Sequence, residues 1–144
     1  MKIAIGCDHG GFTVKGPIVE LISSLGHEVL DHGCVSEQSV NYPDYARVVC
    51  TAVEEGTADR GILICGTGIG MSMAANRSES IRAALCHEIF TATMSREHND
   101  ANVLCLGARV VGPGLILEIV KTWLSTDFAG GRHQTRIEMF STNA

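Results

Sequence analysis

The run Cys65-Gly66-Thr67-Gly68-Ile69-Gly70 follows the apolar stretch GILIC and opens a helical pattern. Backbone N–H groups with little side-chain cover, at a helix N-terminus, can hold an anion, whether a phosphate or a developing oxyanion. The pattern is not a nucleotide P-loop, because no Lys-Ser/Thr follows, and G-x-G-x-x-G fails because Met71 stands at the last glycine position. A dinucleotide fingerprint also belongs after the first strand, whereas this loop follows the third. Cys65 stands immediately before the loop, where a helix dipole suits a thiolate that acts as base or nucleophile. A core thiol is the competing reading.

Other residues in reach of chemistry are Asp8-His9, in CDHGG at the end of the first strand, and His98-Asn99-Asp100 at the end of a helix. Adjacent polar groups at a buried strand end need partners or a ligand. The second triplet fits helix capping equally well. Arg132 and Arg136 are four apart, which puts two guanidinium groups on one helical face as a phosphate clamp. With Arg109 and His133 they concentrate positive charge late in an acidic chain. His27, His32 and His87 lack metal-ligand spacing and read as surface or loop histidines, so no metal site is expected.

The chain has 144 residues, net charge −5, 45% hydrophobic and 19% charged residues, which describes one domain with an ample core. The acidic balance and few aromatics argue against a nucleic-acid partner. No membrane span or signal peptide is legible, so the expected compartment is the cytoplasm. Six cysteines without a C-x-x-C pair suggest neither zinc nor a disulfide framework, and Cys7, Cys86 and Cys105 read as packing.

Strand patterns over 2–7, 27–31, 61–65, 81–86 and 102–106 alternate with helical patterns over 11–25, from Pro43 to 55, through 76, to about 98, and over 114–125. Pro17 fits its helix poorly unless the helix starts late. Such alternation predicts an α/β domain, a five-stranded parallel sheet doubly wound in order 2-1-3-4-5, flavodoxin-like or Rossmann-like. Ligands then bind beyond strands 1 and 3, where the winding reverses, which gathers Asp8, His9, Cys65 and the glycine loop. A tail over 127–144 contains the hinge Gly130-Gly131.

Together CDHGG, NYPDYA, GILICGTGIGMSMAAN, HNDANVLCLGARVVG and GGRHQTR resemble the type B ribose-5-phosphate isomerase family, which includes galactose- and allose-6-phosphate isomerases. The match runs from Lys2 to about Glu138, and FSTNA carries no family signal. The resemblance implies ribose 5-phosphate to ribulose 5-phosphate isomerisation in the pentose phosphate pathway, without metal or nucleotide. It implies Cys65 as the base, Thr67 ordering it, and the amides of Gly66, Thr67, Gly68, Ile69 and Gly70 stabilising an enediolate. It also implies His98 in ring opening, Asp8 on the sugar, and Asn99 on a hydroxyl. His9, Arg109, Arg132 and Arg136 become phosphate and substrate ligands, and Tyr42 lines the sugar end. Family members are dimers or tetramers with sites composed from two subunits, which implies that the tail over 127–144 packs on a partner subunit. A subgroup uses a Glu base where this chain has Met71, which places the chain in the Cys-based branch. The alternatives are a six-carbon phosphosugar isomerase and a non-catalytic flavodoxin-like module for a phosphorylated ligand.

Overall fold

The computed structural model describes residues 1–140, so the last part of the expected tail lies outside the described residues. Eleven elements alternate along the chain: β1 Lys2–Cys7, α1 Phe12–Ser24, β2 Glu28–Asp31, α2 Tyr42–Glu54, β3 Arg60–Cys65, α3 Ile69–Ala75, β4 Ala83–Leu85, α4 Ile89–Glu97, β5 Val103–Gly107, α5 Pro113–Ser125 and α6 Arg132–Glu138. Gly26 ends α1 in the left-handed region (φ 81°), and Pro43 occupies the first turn of α2, each where the backbone preference of that residue is useful. Pro17 lies inside α1 rather than at its start.

All five strands are parallel, and the doubly wound α/β class holds, but the order is β2-β1-β3-β5-β4. The expected positions of the last two strands are therefore exchanged. β5, VLCLG, is buried at every residue, whereas β4 has only three residues, all half-buried. An apolar strand of that kind needs sheet neighbours on both sides, and the short one takes the edge. Right-handed crossovers agree: leftward steps put α1 and α4 on one face with α5, and rightward steps put α2 and α3 on the other.

Strand alternation divides the core. Ile3, Ile5, Ile62, Ile64, Leu104 and Leu106 face α1, α4 and α5, where Trp123 is fully buried. Ala4, Leu63, Cys65, Val103 and Cys105 face α2 and α3. The latter face is lined with small residues: a methyl group on Gly61 would come within 2.7 Å of Val49, so α2 lies close against the sheet. The parity also decides which way the cysteines point. Cys65 faces α2 and α3, and Cys7 faces α1.

Candidate active site

The crevice beyond the carboxyl ends of β1 and β3 is built mainly by backbone. Cys65 ends β3 with its side chain 5% exposed, and its Sγ accepts the Gly68 N–H at 3.1 Å. Gly68 has φ 77°, a conformation that costs a residue with a Cβ, and a methyl group there would come within 2.5 Å of Leu85. The turn that returns an N–H to the sulfur thus depends on glycine. Thr67 Oγ1 accepts the Ile69 N–H at 3.3 Å, so two of the loop's amides are already engaged in shaping it.

Around this loop the structure gathers Asp8, His9, Tyr42 and Arg109. Asp8 is 7% exposed and its Oδ1 accepts the Gly10 N–H at 2.8 Å. Gly10 in turn lies against Gly66, where a Cβ would meet the Gly66 nitrogen at 2.9 Å, so the ends of β1 and β3 are locked together. His9 Nδ1 accepts the Val40 N–H at 3.2 Å, which leaves the proton of a neutral ring on Nε2, free to donate. Tyr42, at the start of α2, lays its ring on Gly70, within 2.7 Å of where a Cβ would stand. Arg109 donates its backbone N–H to Gly66 O at 2.9 Å and passes its guanidinium over the same residue.

His98, Asn99, Arg132 and Arg136 lie elsewhere. A helix that follows a parallel strand runs back toward the strands' amino ends, so the end of α4 stands at the far end of the sheet from Cys65. Hydrogen bonds fix it there. Arg82, just before β4, donates Nε to Asn99 O at 3.0 Å, and Gly61, at the start of β3, donates its N–H to Asn102 O at 2.9 Å. Between these ends runs β3, at about 3.3 Å per residue. The adjoining Asp100 has φ 44°, and its carboxylate accepts from Arg96 at 2.7 Å and Arg82 at 3.1 Å. Beyond Gly130 and Gly131, both of positive φ, α6 returns to this end. There the His133 ring stacks on His98 with centroids 4.1 Å apart and planes 10° from parallel. Partial desolvation in the stack, then the charges of His98, Arg132 and Arg136, hold the His133 pKa below its ordinary value.

Two clusters result, a thiol and carboxylate with glycine amides at one end, two histidines and two arginines at the other. Among the described residues, Arg109, Arg132 and Arg136 are in no salt bridge, and no group of three His, Cys, Asp or Glu side chains could hold a metal ion. Sequence reasoning left His87 as a surface or loop residue. The structure puts its Nε2 3.1 Å from Thr67 O, and the strand-to-helix turn after Cys86, at the carboxyl end of the sheet, is the signal that would have found it. Likewise, the position of His98 at the end of a helix already implied the amino side of the sheet.

Comparison with known proteins gives the arrangement its context. A putative sugar phosphate isomerase of Bacillus subtilis is 56% identical, over 98% of this chain and 95% of that protein. Ribose-5-phosphate isomerase B of Escherichia coli is 52% identical, over 95% and 92%. The solved structure of Clostridium thermocellum ribose-5-phosphate isomerase B superimposes with a TM-score of 0.95 at 54% identity, over 96% of this chain and 94% of that one. The Ribose/Galactose Isomerase profile matches residues 3–140, and the chain belongs to that family.

Proposed function

We propose that the chain interconverts ribose 5-phosphate and ribulose 5-phosphate through an enediolate, in the cytoplasm, as a homodimer or dimer of dimers. The observation that carries this reading is the Cys65 sulfur held beside an anion-binding glycine loop, with Asp8, His9, Tyr42 and Arg109 around it. Cys65, as thiolate, takes the proton from C2 of the open-chain aldose. Negative charge develops on O1, where loop amides meet it, a donor set prearranged for charge that appears only during reaction. The proton on Cys65 returns to C1, the O2 proton passes to O1, and the ketose results. Thr67 holds the loop in shape, Asp8 and Tyr42 orient the sugar, and Arg109 and His9 Nε2 supply donors to its oxygens. Phosphate binding at a distance from the reacting carbons orients them.

His98, Asn99, Arg132 and Arg136 enter as the other half of the site, contributed by a second copy of the chain. His98 assists opening of the furanose ring, Asn99 holds a hydroxyl, and the exposed arginines take the phosphate. The distance between the two clusters within one chain supports this composite arrangement, since neither end alone has both a base and a phosphate clamp. Names of relatives at about half identity support the five-carbon substrate.

Parallel assays on ribose 5-phosphate and on allose and galactose 6-phosphates test the reading. Isomerisation chiefly of the five-carbon substrate is expected. Preference for a six-carbon substrate would move the chain to another activity of its family, and binding without turnover would reduce it to a ligand-binding module.

A further inference from the structure

On the face of the sheet opposite Cys65, two other cysteines meet. Cys7 ends β1, and Cys34 lies in the connection after β2, donating its N–H to Cys7 O at 3.0 Å. Their Sγ atoms are 3.7 Å apart, with Cys7 0% and Cys34 4% exposed. Backbones joined in this way are spaced as neighbouring strands, about 4.8 Å apart, which lies within the Cα range of about 4.4–6.8 Å that a disulfide bridges. Burial first, then the neighbouring Cys34, pushes the Cys7 pKa up to about 12. Cys7 is therefore a thiol at neutral pH, and the less enclosed Cys34 is the sulfur that a small oxidant reaches. Val35, next along the chain, is 89% exposed, while Lys15 Nζ donates to Cys34 O at 3.0 Å and the Cys34 thiol donates to Ser36 O at 3.3 Å, so a small oxidant reaches the sulfur when these two contacts open locally.

We propose that Cys7 and Cys34 are a dithiol modification site, which a peroxide closes into an intrachain disulfide that fastens the 32–41 connection to the end of β1. The Cys34 sulfur attacks a peroxide oxygen, the O–O bond breaks, and a sulfenic acid forms, while the released hydroxide takes up the thiol proton as water. The Cys7 sulfur then attacks Cys34, the S–S bond forms, the S–O bond breaks, and the hydroxyl leaves as water with the Cys7 proton. Two thiols are oxidised by two electrons and the peroxide is reduced to two waters. The same connection supplies the Val40 N–H to His9 Nδ1 and runs into Tyr42. Fastening it shifts both residues at the crevice, a consequence that rests on the function proposed above. KM for the sugar phosphate should rise about fivefold, the size of one ordinary hydrogen bond.

Hydrogen peroxide treatment of the whole protein, followed by alkylation, denaturation and peptide mass measurement, tests the site without reference to activity. A Cys7–Cys34 link two hydrogens lighter than the dithiol, reversed by dithiothreitol, is the expected result. Cys34→Ser, with an unchanged circular dichroism spectrum, should form no link and show no reversible rise in KM. Cys7→Ala should stop at the sulfenic acid and trap dimedone on Cys34. Both cysteines alkylated in full after peroxide, or a link through other cysteines, would overturn the site. A link that forms in an active isomerase without moving KM would overturn its coupling to His9. A chain that isomerises nothing defeats the proposed function, while the mass measurement still decides on the dithiol.

Discussion

The two ends of the sheet are built from different materials. At the carboxyl end the shape is set by backbone against backbone: Gly10 on Gly66, Gly107 on Thr67, and the left-handed Gly68 returning its N–H to Cys65. At the amino end it is set by side chains. The Asp100 carboxylate joins Arg82 and Arg96, and the guanidinium groups of Arg60 and Arg96 lie 5.3 and 5.7 Å from the Trp123 ring centroid. α6, with no buried residue, meets this end through the stack of His133 on His98. The proposed base must meet one carbon and needs the first kind of construction, because small displacements cost large factors in rate. The proposed phosphate clamp would work through charge and long side chains, and tolerates the second.

The contrast is broken most severely at Cys65. Cys65→Ala removes the proposed base and no phosphate ligand, so turnover should fall by ~10²–10⁴-fold, the usual worth of a general base, with substrate binding retained. Its Gly68 partner would lose only one acceptor. Calorimetric titration with ribose 5-phosphate alongside the rate measurement separates the two effects. Near-normal turnover would reassign the base, with Asp8 the next carboxylate in the crevice.

Arg136→Ala strikes the other end and should act chiefly on KM, since a charge-assisted bond to phosphate is made before and during reaction alike. Mixing Cys65→Ala and Arg136→Ala subunits asks whether the ends belong to one site. In a dimer with composite sites, each heterodimer has one doubly damaged and one intact site. Random exchange makes about half the dimers heterodimers, so about a quarter of the wild-type activity should return. No return, with heterodimers verified by mass, would mean that each chain's arginines do not serve its neighbour's Cys65.

Most of this architecture was legible in the sequence, for identifiable reasons. Gly26, Gly56 and Pro43 mark helix ends through backbone preferences that tertiary contacts do not override, and the alternation of β5 in the core follows from residue parity. The crevice followed from the switch point between β1 and β3, which the exchange of β4 and β5 leaves untouched. That exchange was less legible, because it depends on how much surface each strand must bury once the helices are placed. The separation of His98 from Cys65 follows from the return direction of α4, which the helical pattern ending at His98 already carried although no motif states it. The α6 helix was partly visible, in the four-residue spacing of its arginines, but its return to stack on His98 was not.

The smallest expected effect sharpens the comparison at the α6 contact, through pH. The stack of His133 on His98 favours the neutral ring, and the two arginines add to that preference, so the pKa of His133 in the folded chain lies below the ordinary imidazole value of 6.5. A group with a lowered pKa in the docked state contributes its full share above the undocked value, and that share is lost as pH falls through the lowered one. Acidification should therefore loosen α6 while the crevice, where the Gly68 N–H holds the Cys65 sulfur, keeps its shape. The imidazole chemical shifts of His133, followed from neutral to acidic pH, should titrate with a midpoint below the ordinary value of 6.5. In the intact protein, amide exchange over α6 should quicken across the same range, with exchange at the Gly68 amide unchanged. A stack that tightens on acidification would reverse the sign and remove His133 from the set of groups that seat α6.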